Sequence, residues 1–202
     1  MDWADIEATA TLIYRAAGIE PDRRGSLRSL AKALGARVFT IHAASLPRDG
    51  ALAWVYGEPR IYLRRGINRE RRDFALAHEL AELALAKERY QGDDSEDLAN
   101  ALGAALLAPR QMFLRVLAGA PEFPRIAREL HQTESFAALR YGETTWTPLV
   151  LIAPQSVRVR GATFVWPSED ALRKLSAGGA TPGVARTRLR DDPRRVVLAS
   201  KL

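Results

Sequence analysis

The chain has 202 residues, 47% of them hydrophobic, and this content is enough to build a core, so a disordered chain is not expected. It contains no cysteine, which excludes disulfides and thiolate metal sites and leaves histidine and carboxylate as the possible metal ligands. The formal net charge of +6 permits contact with nucleic acid without requiring it, and the acidic N-terminus and the lack of a long apolar run predict a cytoplasmic protein without a membrane span.

The first part of the chain predicts two helices followed by three short strands. The helices are expected over 2–17 and 26–35, with Ser26 as the cap of the second and Gly35 at its end. After residue 35 the period of the pattern changes to two, and strands are expected over 36–44, 51–57 and 59–66. The short turn sequences PRDG and GEP between them favour a small meander.

Helical patterns return after Asn68, which is expected to cap a helix over 69–90 that contains neither glycine nor proline. A further helix is predicted from Glu96 to the region of Pro109, and the next turn follows in RQMFLRVLAG. Residues 125–143 then predict two short helices joined around 131–133, with the shape of a helix-turn-helix. The rest predicts a strand-rich tail with one short helix near 168–176.

The helix over 69–90 contains FALAHELAELAL, residues 74–85, with the spacing of metal ligands. His78 and Glu82 are four residues apart, so they share a helix face and can hold one ion between them. Glu79 lies about 100° further round the helix. In the zinc-protease helix motif HExxH, the corresponding glutamate takes a proton from the attacking water and passes it to the leaving amine. Glu96, at the start of the following helix, is well placed to supply a third ligand.

Two segments resemble the ImmA/IrrE-like metallopeptidase family. RRDFALAHELAE, residues 71–82, is similar to that family's RxxFTLAHELGH, and EDLANALGAALLAP, residues 96–109, is similar to its ExxANxFAAxLLMP. This pair of motifs is far more specific than a lone HExxH. The resemblance covers about 26–143, including the helix-turn-helix-like segment that commonly follows in the family. It implies a zinc-dependent peptidase that cleaves, or otherwise inactivates, a protein such as a DNA-binding transcriptional repressor.

Carried over to this sequence, the resemblance implies that His78 and Glu96 are metal ligands and that Glu79 is the general base. Glu82 stands where the family has its second histidine. One imidazole and two carboxylates can still bind a divalent ion, but two negative ligands offset its charge, so we expect a weaker Lewis acid. Oxygen-rich coordination also moves preference away from zinc and toward manganese. We therefore predict a divalent cofactor, zinc first and manganese second; the alternative is a metal-free descendant in which His78 is a core residue and Glu96 a helix cap.

These elements predict an α+β fold in three parts. Residues 1–118 are expected to form a zincin-like metallopeptidase domain with the small β-meander. Residues 119–145 are expected to form a helix-turn-helix-like helical segment, and residues 146–202 a small strand-rich C-terminal region.

Three functions remain open from the sequence, and whether the chain is an enzyme at all depends on which is right. The first is a cytoplasmic metal-dependent endopeptidase acting on a protein. The second is a catalytically inactive pseudo-peptidase that regulates by binding a protein. The third is direct DNA binding through residues 126–140 and the basic tail at 186–195. The segment TESFAALRYG offers few side chains that read base edges, so a packing role is favoured for it.

Overall fold

The computed structural model describes residues 3–23, 25–42, 46, 48–88, 95–119 and 122–145, and the backbone of four strands between 149 and 200. The chain divides into two compact units, residues 1–112 and 113–202. The described residues form seven helices, and a small three-stranded sheet lies in the first unit, which confirms the predicted α+β class.

The elements follow one another along the chain in three groups. The first group contains α1 (Trp3–Ala16), α2 (Leu27–Ala33), β1 (Arg37–Ile41), β2 (Gly50–Val55) and β3 (Glu58–Arg64). The second contains α3 (Arg69–Lys87), α4 (Ser95–Leu107) and α5 (Arg110–Gly119). The third contains α6 (Phe123–Leu130), α7 (Glu134–Thr145), β4 (Leu149–Ala153), β5 (Ser156–Arg160), β6 (Val184–Arg188) and β7 (Val196–Ser200).

The three-stranded sheet has the order β1-β3-β2, so the predicted meander is wrong in its connectivity. β3 lies in the centre, antiparallel to β2 and parallel to β1. A parallel pair cannot be joined by a tight turn, and here β2 is part of the connection that brings the chain back beside β1. Alternation of residue type reveals which side chains face the core, but it does not reveal which strands are neighbours. The buried residues of β3 include Ile61 and Leu63, and α3 packs against β2 and β3.

α3 begins where the sequence predicts. The Asn68 side chain accepts a hydrogen bond from the backbone N–H of Arg71 at 2.9 Å, as expected of an N-cap. By contrast, Ser26 occupies the N-cap position of α2 but makes no capping hydrogen bond through its side chain.

α4 is buried along almost its whole length and packs against α3. A Cβ atom at Gly103 would lie 3.2 Å from the backbone nitrogen of His78, so this small residue permits the close approach of the two helices. Tyr14 of α1 donates a hydrogen bond to the Leu106 carbonyl at 2.8 Å. Within the part of the chain that the structure describes, no single helix is long and apolar enough to cross a membrane, and only α4 and α5 together, bent at the break between them, reach the necessary length and composition.

The second unit contains α6 and α7 and the strands β4 to β7. α6 ends at Leu130, and its C-cap His131 adopts the left-handed conformation with φ of 48°, within the predicted break at 131–133. Thr133 then accepts a hydrogen bond from the Phe136 backbone N–H at 3.1 Å at the start of α7. The strands form an antiparallel sheet in the order β5-β4-β7-β6. The helix predicted near 168–176 lies outside the described residues.

Candidate metal centre

His78, Glu79 and Glu82 project from α3, and their ligand-capable atoms all lie within 4.8 Å of one another. His78 Nε2 is 3.3 Å from a Glu82 carboxylate oxygen, as the four-residue spacing predicts. The same nitrogen is 3.8 Å from a carboxylate oxygen of Glu96, at the start of α4. The packing of α4 against α3 therefore brings all four residues that the sequence singled out to one place.

The environment of His78 directs one ring nitrogen at the carboxylates. The side chain is only 12% exposed, and the Phe74 ring stacks beside it with a centroid separation of 6.5 Å. Its Nδ1 atom is buried and has no hydrogen-bond partner among the described residues. The hydrogen bond with Glu82 raises the pKa of His78 above its usual value, although burial acts in the opposite direction. Negative charge around Nε2 thus favours a proton or a cation at this point.

Glu79 is the most deeply buried carboxyl group of the site, with 6% of the residue exposed. Burial, with the negative charge of Glu82 second, raises the pKa of Glu79 from its ordinary value to about 7. A hydrogen bond from the Leu52 backbone acts in the opposite direction. A carboxyl group with this pKa can both take and return a proton near neutral pH, which is what general acid–base catalysis requires.

Space for the Glu79 side chain exists because residue 50 is a glycine. A Cβ atom at Gly50, the first residue of β2, would lie 2.7 Å from Glu79 Oε1. The neighbouring Asp49 accepts a hydrogen bond from Arg71 Nε at 2.8 Å, and this pair joins the start of β2 to the first turn of α3. The sequence did not indicate a role for Gly50 or Asp49. Both belong to PRDG, a sequence that is typical of a turn and carries no information about the side chains near it.

Glu82 and Glu96 are the more exposed carboxylates of the site. The hydrogen bond with His78 lowers the pKa of Glu82, and the positive charge of Arg48 contributes in the same direction. Arg48 Nη1 also lies 3.8 Å from a Glu96 carboxylate oxygen, although both side chains are more than half exposed. Arg48 precedes Glu96 by 48 residues, so no local pattern in the sequence indicates that the two are neighbours.

The donor atoms suit a divalent cation. One imidazole nitrogen faces carboxylate oxygens from two helices, and the carboxylates provide the negative charge that such an ion offsets. The ligand atoms of His78, Glu79 and Glu82 lie close enough together to hold an ion. Glu96 is near enough to the same imidazole nitrogen to contribute a further oxygen.

Comparison with known proteins identifies the class of this fold. The family model described as IrrE N-terminal-like domain, of a peptidase family, matches residues 31–141, which is more than half of the chain. The chain therefore belongs to the ImmA/IrrE-like metallopeptidase family, as its two motifs predict.

One solved structure extends the comparison beyond the matched domain. A Mycobacterium tuberculosis transcriptional regulator is similar with a TM-score of 0.62 and 14% sequence identity, over 97% of this chain and 87% of that chain. At this identity the likeness shows the fold alone. Among curated proteins, none matches the chain significantly.

Proposed function

We propose that this protein is a metal-dependent endopeptidase that acts on another protein in the cytoplasm. His78, Glu82 and Glu96 are its metal ligands, and Glu79 is its general base. The observation that carries this proposal is the clustering of its donor atoms: those of His78, Glu79 and Glu82 lie within 4.8 Å of one another, and a Glu96 oxygen lies 3.8 Å from His78 Nε2. Family membership supports the same reading.

The proposed chemistry assigns one task to each group. A divalent ion, when bound, supplies Lewis acidity toward the scissile carbonyl. His78, Glu82 and Glu96 hold that ion from α3 and α4. Glu79 Oε takes the proton of the attacking water and returns it to the leaving amine nitrogen, so the side chain ends the cycle in the state in which it began. Its burial keeps the carboxyl group away from bulk water.

Zinc is the first proposed cofactor and manganese the second. One nitrogen and several carboxylate oxygens make the site harder, in the chemical sense, than a two-histidine site. The extra negative charge also reduces the acidity that the ion confers on its surroundings. We therefore expect slow peptidase activity with zinc as the bound ion, and manganese should also support it.

A DNA-binding transcriptional repressor is the proposed substrate class. The resemblance of the two sequence motifs to repressor-inactivating peptidases supports it. The substrate class is tested by comparing the proteolysis of labelled casein, as a general protein probe, with that of purified helix-turn-helix repressors.

The proposal is tested with metal content and proteolysis measured together. Protein purified without an affinity tag should contain about one equivalent of divalent metal per chain, and Glu96→Ala should lose most of it. Glu79→Gln should keep its metal and lose cleavage by about 10²-fold or more, because only the proton carrier is removed. Unchanged proteolysis in Glu79→Gln would show that Glu79 is not the base.

A non-catalytic regulator is the second candidate, and one observation favours it. Nε2 of His78 already lies 3.3 Å from Glu82, so an ion pair can satisfy the imidazole without metal. In that case, metal should be absent even after incubation with zinc and manganese, and Glu82→His should create an affinity that the parent lacks.

Direct DNA binding is disfavoured by the burial of α7. A recognition helix must present its first residues to the major groove. In α7, the residues from Glu134 to Ala138 are all buried. Sequence-preferring binding to duplex DNA that weakens steeply with salt would overturn this judgement.

A further inference from the structure

The first unit contains a polar cavity that is separate from the candidate metal centre. Its volume is about 520 Å³, within the range of small-molecule sites. It is lined by residues from α2 and the segment before it, from β1 and β3, and from the first half of α3: Gly25, Ser26, Leu27, Arg28, Thr40, Leu63, Arg69, Arg72, Asp73 and Leu76. Arginine, hydroxyl and leucine side chains are thus brought together from four separate stretches of the chain.

The cavity and the candidate metal centre lie on different sides of α3. Its α3 residues, Arg69 to Leu76, follow the spacing i, i+3, i+4 and i+7 and so share one face. At 100° per residue, that face is about 150° from the one that carries His78 and Glu82. In the sheet, Thr40 and Gly50 pair with Leu63 from opposite sides. The cavity lies on the Thr40 side and Glu79 on the Gly50 side.

The charge of the lining suits a doubly charged anion. The described residues of the lining carry a net charge of +2, from Arg28, Arg69 and Arg72 against Asp73. Arg69 lies 3.6 Å from Asp73. Among the described residues, Arg28 and Arg72 make no ion pair, so their guanidinium groups can bind a ligand without first breaking one. Guanidinium groups bind phosphate through paired hydrogen bonds.

From this geometry we propose that the cavity binds a small molecule carrying a phosphate monoester. A monoester carries about 1.5 to 2 negative charges at pH 7, which matches the lining, whereas a phosphodiester carries only one. The volume exceeds that of a phosphate group, so part of the body of the ligand also fits. The hydroxyl groups of Ser26 and Thr40 add hydrogen-bonding partners. This site is independent of the proposed peptidase activity.

The test is a calorimetric titration of the whole protein at low salt with matched ligands. AMP and ribose 5-phosphate are the monoester probes, 3′,5′-cyclic AMP is the diester with the same base and sugar, and adenosine lacks the phosphate. We expect both monoesters to bind, adenosine not to bind, and the cyclic diester to bind at least about fivefold more weakly than AMP, because it offers half the charge.

Two variants of equal charge identify the binding surface. Arg72→Gln should raise the Kd for AMP by about tenfold, since it removes a charge-assisted contact. Arg65→Gln removes one charge from an exposed arginine outside the cavity and should leave the Kd within about twofold. Both replaced side chains are exposed, and circular dichroism checks that each variant is folded. Failure of both monoesters to bind, a cyclic diester as tight as AMP, or equal losses in the two variants would each overturn the proposal.

Discussion

Each unit of the molecule buries a glutamate, and the two carboxyl groups are neutralised in different ways. In α7, Glu143 is 9% exposed and lies 3.4 Å from the Arg140 guanidinium, which is itself 1% exposed. In α3, Glu79 is 6% exposed and faces another carboxylate and an imidazole, whose charge depends on pH. A permanent cation makes a buried carboxylate part of the architecture. In metal-free protein the proton itself becomes the counter-ion of Glu79, and the carboxyl group is able to exchange it near pH 7.

The largest effect is expected when the structural pair is broken. Arg140→Ala removes a cation that lies 3.4 Å from the buried Glu143 carboxylate, and we expect the free energy of unfolding to fall by about 3–5 kcal/mol. Urea denaturation at pH 7 measures this loss. The double variant Arg140→Met/Glu143→Gln removes both charges of this pair, so most of the stability should return. A single variant as stable as the parent would show that the pair does not hold α7.

The second effect is the pH dependence of stability in chelator-treated, metal-free protein. The pKa of Glu79 is raised from its usual 4.5 to about 7 in the folded state, so the folded state binds more protons than the unfolded state in this range. Its stabilising contribution is complete below pH 4.5 and is lost as the pH rises through about 7. The loss is on the order of 3 kcal/mol, at 1.36 kcal/mol per pKa unit.

His78 and Glu82 titrate at the two ends of this pH range, and their effects on stability must be distinguished from that of Glu79. The pKa of His78 is also raised, so its contribution is lost as the pH rises further. The pKa of Glu82 is lowered in the folded state, so the stability that Glu82 contributes is lost only as the pH falls below 4.5. The variant Glu79→Gln should therefore flatten the melting temperature profile between pH 4.5 and 7. If its profile parallels that of the parent, another group titrates there.

The third effect concerns the space around the Glu79 carboxyl group, which a substitution at Gly50 alters without changing any charge. Gly50→Ala places a Cβ atom 2.7 Å from Glu79 Oε1, so the carboxyl group has to move. We expect a stability loss of about 1–3 kcal/mol together with a change in the pH profile described above. Gly119→Ala is the matched control, since a Cβ atom there meets no atom within 4 Å. Equal behaviour of the two variants would mean that Gly50 does not position Glu79.

The smallest effect concerns the surface pair that joins β2 to α3. Arg71 Nη2 lies 2.6 Å from Asp49 Oδ2, but the arginine side chain is 62% exposed. Solvent screening limits such a pair, so Arg71→Ala should cost no more than about 1 kcal/mol, and less at high salt. Arg65→Ala, which removes an exposed arginine of the same unit, controls for net charge. A loss as large as that of Arg140→Ala would mean that exposure does not distinguish the two pairs.

The local features of the fold were readable from the sequence. The cap at Asn68, six of the seven helices in the described residues and the relation of His78 to Glu82 depend on residues within one or two turns of each other. Where α5 lies, the sequence predicted only a turn. Helix geometry repeats every 3.6 residues, so spacing alone determines which side chains share a face. The two motifs likewise identified the family, because each is a short, continuous stretch.

The remaining features depend on segments that are distant along the chain. The position of β3 between β1 and β2, the glycine at residue 50 beside Glu79, and Arg48 beside Glu96 all arise from packing between separate elements. The cavity lined by Arg28 and Arg72 is of the same kind. Alternation and capping signals describe a strand or helix by itself and contain no information about its neighbours. The sequence therefore determined the candidate ligands, whereas the tertiary structure decided the burial and charge that set the pKa of Glu79, because both depend on atoms that other elements bring to it.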